Sequence, residues 1–180
     1  MEAKGVAFQA RKQLVCEQFG EDKWNAFLKA YGEKDAYFRT DVLPTALIPI
    51  DKFLAFNEAL LKEFYGGDQR AYVAMGEKTA DYSLVDGPYK TYLRNRDYKK
   101  LVEESIPKLW KKFYTDGTLE ISYSLGAVDA AIHGLPQRHV YFESAVVGFM
   151  KRTLELAGAK EVSYRKLPGD DIRFKFTFTE

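Results

Sequence analysis

The sequence predicts an α+β fold: an N-terminal helical layer of four to six helices, then a C-terminal β-β-α-β-β unit forming a four-stranded antiparallel sheet. Three observations predict it. Up to about Tyr114, apolar residues recur with the 3.6-residue period of helices. From Leu119 onward the period drops to two, the signature of half-buried strands. Each predicted strand has a single apolar face, which implies a sheet covered by helices on one side. The 180 residues, 46% of them hydrophobic, suffice for a single domain with its own core. Residues 1–115 would form its mainly helical part and 116–180 the sheet with one helix.

The first helix is predicted from Glu2 to Phe19, with Ala7, Ala10 and Leu14 on one ridge and Gly20 as its stop. Glu21 and Asp22 suit the start of the next, in which Trp24, Phe27, Leu28 and Tyr31 follow the i, i+3, i+4, i+7 pattern. Pro44 and Pro49 make Tyr37–Ile50 a connector. Asp51 reads as the cap of a third helix, with Phe53, Phe56, Leu60 and Phe64 on one face and Gly66-Gly67 ending it. Asp68 would cap a fourth, interrupted at Gly87-Pro88 and followed by a short helical piece, Tyr89–Asn95. Asp97 would cap the next, to about Tyr114, in which Pro107 predicts a kink or break.

Leu119–Leu125 and Val128–His133 then read as a hairpin around Gly126. A helix over Val140–Ala157 follows, with Gly158 beyond its end. A second hairpin turns at Pro168-Gly169-Asp170. Its last strand, with Ile172, Phe174, Phe176 and Phe178 alternating with polar residues, is the cleanest period-two signal in the chain.

Composition narrows function by exclusion. Lys and Arg number 27 against 26 Asp and Glu, so the charge is nearly balanced. That speaks against a nucleic-acid binder, which normally carries a basic excess. One Cys, Cys16, permits no internal disulfide framework, and only two His leave no soft-ligand zinc cluster. No apolar run approaches the ~18 residues of a spanning helix, and the N-terminus has no continuous apolar core of a signal peptide. The expected location is cytoplasmic. The aromatic content is high, with 13 Phe, 12 Tyr and 2 Trp.

Several residues invite a functional reading beside a plainer one. His133 and His139 flank a short loop, and Asp129 or Glu143 could complete a metal set; exposed strand-end and helix-start histidines explain them equally simply. Cys16 is a nucleophile or a half-buried structural thiol. Asp170-Asp171 is an acid/base pair or an ordinary turn. Lys90–Lys112 holds eight Lys/Arg against three Asp/Glu. Arg94, Arg96, Lys100, Lys108, Lys111 and Lys112 there make a solvated face or a docking surface for an anionic partner. Phe53, Phe56, Trp110, Phe113, Phe142 and Phe149 are core residues or the lining of an apolar ligand pocket between helices and sheet.

The segment VAFQARKQLVCEQFGEDKWNAFLKAYG resembles the opening of the haem-nitric oxide/oxygen binding (H-NOX) family. The segment Val140–Phe178 resembles both H-NOX and the 4-vinyl reductase domains. With the Bet3-like subunits of the TRAPP vesicle-tethering complex, these groups share a fold that packs a helical layer on a four-stranded antiparallel sheet. The resemblance covers nearly the whole chain, in hydrophobic pattern and turns. It implies a haem-binding His on the helix before the first hairpin, but YKKLVEESIPKLWKKF contains none. The propionate-binding Tyr-x-Ser-x-Arg motif is likewise missing from LEISYSLG, and no Cys stands near the C-terminus, where 4-vinyl reductase domains carry metal-binding ones.

The resemblance therefore implies a haem-less relative with no cofactor and no metal. The expected role is a non-catalytic signalling or scaffolding module that acts through protein contacts, with a homodimer as one form. The alternative is a sensor of a small apolar or aromatic ligand.

Overall fold

A computed structural model describes residues 1–93 and 97–180. The chain opens with a short strand, β1 (Glu2–Lys4), where the apolar pattern predicted helix. β1 pairs antiparallel with β2 (Leu47–Pro49), setting buried Ala3 opposite buried Ile48. The connector thus supplies a strand partner, a long-range contact that local periodicity does not register. Helix α1 (Gly5–Phe19) starts only after this pair. Gly5 is required there, because a Cβ would lie 2.0 Å from the Leu43 carbonyl oxygen.

Helix α2 (Glu21–Lys34) follows the predicted stop at Gly20, whose φ of +95° favours glycine. Helix α3 (Ile50–Tyr65) starts one residue before Asp51. Asp51 is therefore not its cap; it stands in the first turn, where a carboxylate still complements the helix dipole. Helix α4 (Ala71–Ala80) runs into a π-helical turn, Asp81–Val85. A 3₁₀ turn at Lys90–Leu93 covers the described part of the predicted Tyr89–Asn95 piece.

Asp97 caps the next helix as predicted, accepting from the Lys100 N–H. This helix has three parts: α5 (Tyr98–Lys100), a π-helical turn (Leu101–Ser105) and α6 (Ile106–Phe113). Pro107 is the physical reason. It has no N–H for the helical ladder, and the widened turn before it absorbs the missing bond.

Strands β3 (Thr118–Ser124) and β4 (Ala127–His133), helix α7 (Val140–Ala157), β5 (Lys160–Leu167) and β6 (Ile172–Thr179) complete the chain. The four strands form one antiparallel sheet in the order β3-β4-β6-β5. Val128, Ala130 and Ile132 face Phe176, Phe174 and Ile172 in register, and all six side chains are buried on the helix-covered side. Asp129, Arg173 and Lys175 point the other way. Buried side chains from helices and sheet join in one hydrophobic cluster.

Helix α7 packs on the sheet and on α4. Two glycines let α4 and α7 touch backbone to backbone. A Cβ on Gly76 would lie 1.9 Å from the Ala145 carbonyl oxygen, and one on Gly148 2.0 Å from that of Val73. This close crossing sets Gly76 and Ala145 in the wall of a cavity among the helices.

Candidate functional site

A cavity of about 40 Å³ lies where α1, α4, α6, α7 and β3 meet. Ala7 and Arg11 line it from α1, Gly76 and Thr79 from α4. Ile106, Trp110, Phe113 and Tyr114 line it from α6 and its end, Leu119 from β3, and Tyr141, Ala145, Val146, Phe149 and Met150 from α7. Of the aromatic residues predicted to line a pocket, Trp110, Phe113 and Phe149 are in its wall. Trp110 is fixed by an N–H bond to the Gly117 carbonyl at 3.1 Å, and Phe113 meets Phe149 edge to face at 5.2 Å.

Phe53, Phe56 and Phe142 are not in that wall. Phe56 belongs to a separate aromatic cluster, stacked on Phe38 at 4.7 Å and against Phe8 at 5.0 Å. Phe53 and Phe142 back the Tyr141 ring, with centroids at 5.3 and 5.5 Å. Their apolar positions looked equivalent in sequence, but the cavity is reached from only one side of each helix.

The group missing from the sequence reading is Arg11. It is fully buried. Its Nε donates to Asn57 Oδ1 at 2.9 Å, Nη1 to the Met75 carbonyl at 2.6 Å and to Thr79 Oγ1 at 2.8 Å, and Nη2 to the Tyr141 hydroxyl at 3.0 Å. One guanidinium thereby ties α1 to α3, α4 and α7. The Tyr114 hydroxyl stands 3.5 Å from that of Tyr141. Burial, with Tyr141 beside it, pushes the Tyr114 phenol well above its ordinary value. Burial also pushes neighbouring Tyr72 up to about 12, and its buried hydroxyl has no hydrogen-bond partner among the described residues. Both phenols therefore stay protonated at neutral pH. The one signal for this site in the sequence is a charge at position 11, inside the stripe of Ala7, Leu14 and Val15.

The other candidate residues lie apart from the cavity wall. His133 stands between Asp171, at 3.0 Å, and Glu120, at 3.4 Å. His139 caps α7: its Nδ1 accepts from the Tyr141 N–H at 3.0 Å, and its Nε2 meets Glu58 at 2.8 Å. The two histidines thus have separate partners. Among the described residues, no cluster of three or more His, Cys, Asp or Glu is placed to hold a metal. Replacing His139 with Ala is expected to cost about 1 kcal/mol in urea unfolding, the worth of a lost helix cap.

Cys16 is partly buried, and burial raises its thiol pKa, which lowers the thiolate fraction. Lys108, Lys111 and Lys112 are exposed on one face of α6, and Lys100 is exposed on α5. Lys108 pairs with Glu104 at 3.8 Å; Lys100, Lys111 and Lys112 have no ion-pair partner among the described residues. Arg94 and Arg96 lie outside the described residues.

Haem does not fit this interior. Small-molecule and cofactor sites occupy roughly 300–1,000 Å³, against the cavity's 40 Å³. The helix Tyr98–Phe113 offers no imidazole, and Tyr114, the phenol at its end, is held in its protonated form.

No protein-family model and no curated protein sequence matches the chain. Solved structures do. An H-NOX protein from S. oneidensis in the Fe(II)NO state aligns with a TM-score of 0.72 at 12% identity, over 98% of this chain and 99% of the other. An oxygen-binding H-NOX domain related to soluble guanylate cyclases gives 0.68 at 15%, over 98% and 95%. The unliganded Fe(II) H-NOX protein from K. algicida gives 0.68 at 15%, over 98% and 97%. With the order of elements and the sheet described above, these likenesses give the chain an H-NOX-like fold.

Proposed function

We propose that this protein is a cytoplasmic, non-catalytic signalling module that works through protein contacts and uses no haem. The observation that carries this reading is the filled interior. The cavity among the helices holds only about 40 Å³, with Trp110, Phe113 and Phe149 in its wall. That volume also weighs against the apolar-ligand reading, because a drug-sized apolar molecule needs several times more.

A sensory role is supported by analogy of fold, since one structural neighbour is an oxygen-binding domain related to soluble guanylate cyclases. The exposed lysines of α5 and α6 suit a partner with an acidic face. No helix among the described residues is long and apolar enough to cross a membrane.

Self-association is the first contact to measure, by size-exclusion chromatography with light scattering over a wide concentration range. The expected result is a dimer mass that falls to the monomer on dilution. A monomer at every concentration would remove self-pairing from the proposal. Binding to an acidic partner should weaken at least tenfold on combining Lys111→Glu with Lys112→Glu; unchanged affinity would remove the basic face.

A further inference from the structure

Arg11 carries a full positive charge into the interior, and no carboxylate meets it. None of the ion pairs among the described residues includes it, and its four acceptors are all neutral. Buried charges are ordinarily paired, because desolvating an ion costs several kcal/mol. A guanidinium has five N–H groups. Four are used, so one on Nη2 has no acceptor among the described residues. The same Nη2 bonds the Tyr141 oxygen, which leaves the Tyr141 proton free to donate elsewhere. Arg11, Tyr141 and Tyr114 all line the cavity, and the rest of its wall is mainly apolar.

A cation with a spare donor, a phenol with a spare proton and a mainly apolar wall form a receptor for negative charge. Size restricts the ligand. A water needs about 10–15 Å³ by this kind of measure, so 40 Å³ admits about three such positions.

We propose that this cavity binds a small monovalent anion of one to three heavy atoms, of the halide, nitrite or formate class, on Arg11 Nη2 and the Tyr141 hydroxyl. The anion supplies the missing counter-charge, and Tyr114, held protonated, is a second phenol beside it. The inference stands apart from the protein-contact reading, since neither requires the other.

The test is thermal unfolding of the full chain titrated with sodium bromide, sodium nitrite or sodium formate. Sodium gluconate, whose anion is too large for the cavity, holds the ionic strength constant. A ligand that binds only the folded state raises Tm in a saturable-site manner. The expected result is such a rise with at least one of the three anions. Tyr141→Phe, which keeps the ring and removes the hydroxyl, should shift the midpoint at least tenfold to higher concentration. Arg11→Lys tests the charge itself, but Tyr141→Phe keeps the test decisive if that variant does not fold. Crystals soaked in bromide should show an anomalous peak within the cavity. No rise with any of the three anions, an equal rise in Tyr141→Phe, or bromide only at the surface would each overturn the proposal.

Discussion

Replacing Arg11 with Met should destabilise the fold by about 3 kcal/mol, read as a lower urea midpoint. The sign is set by two opposed terms. Removing the guanidinium relieves the desolvation of a buried charge, worth several kcal/mol. It also removes four hydrogen bonds, each from a charged donor and worth about 1.5–3 kcal/mol. Thr79 retains its own bond to the Met75 carbonyl at 2.8 Å, but Asn57 Oδ1 is left buried without this donor. The bonds outweigh the relief, and because they reach α3, α4 and α7 the loss is felt by the whole helical layer. An unchanged midpoint would mean that Arg11 does not knit these helices.

Gly148→Ala is the second large effect. Helix propensity alone would make this change stabilising by about 1 kcal/mol. The new Cβ, however, would lie 2.0 Å from the Val73 carbonyl oxygen, which belongs to a helix backbone and cannot swing aside. Overpacking of this kind costs about 1–3 kcal/mol, and two rigid helices place it at the upper end. A net loss of about 2–3 kcal/mol is therefore expected, with Gly76→Ala behaving alike because its Cβ would meet Ala145 in the same crossing. A neutral or stabilising result would show that the helices can separate without harm.

Much of the architecture is legible in the sequence. The period-two segments mark strands β3 to β6; in β4 and β6 the alternation is matched by one buried face per strand, whereas β5, at the sheet edge, buries none of its residues. Val140–Ala157 was bounded correctly, since Gly158 adopts the left-handed conformation that ends helices. Local pattern does not register long-range or backbone effects. Glu2–Lys4 is a strand because Leu47–Pro49 lies beside it, and the approach of Gly76 and Gly148 to the opposite helix leaves no periodic trace.

The site was legible only in part. Trp110, Phe113 and Phe149 could be named as inward aromatics, yet Phe53, Phe56 and Phe142 looked the same, because periodicity says which face is buried and not what it is buried against. Arg11 is hidden in the sequence for the opposite reason. A charge in an apolar stripe reads as an interruption until its four acceptors, from residues 46 to 130 positions away, are brought to it.

Side chains leave a cavity of only about 40 Å³ among the helices, too small for a macrocycle. Titration of the purified full chain with haemin, followed in the Soret region, tests it most directly. The account predicts only the weak, unsaturated spectrum of free haemin and no stable complex on gel filtration. A sharp Soret band saturating at one haem per chain, and surviving gel filtration, would contradict it.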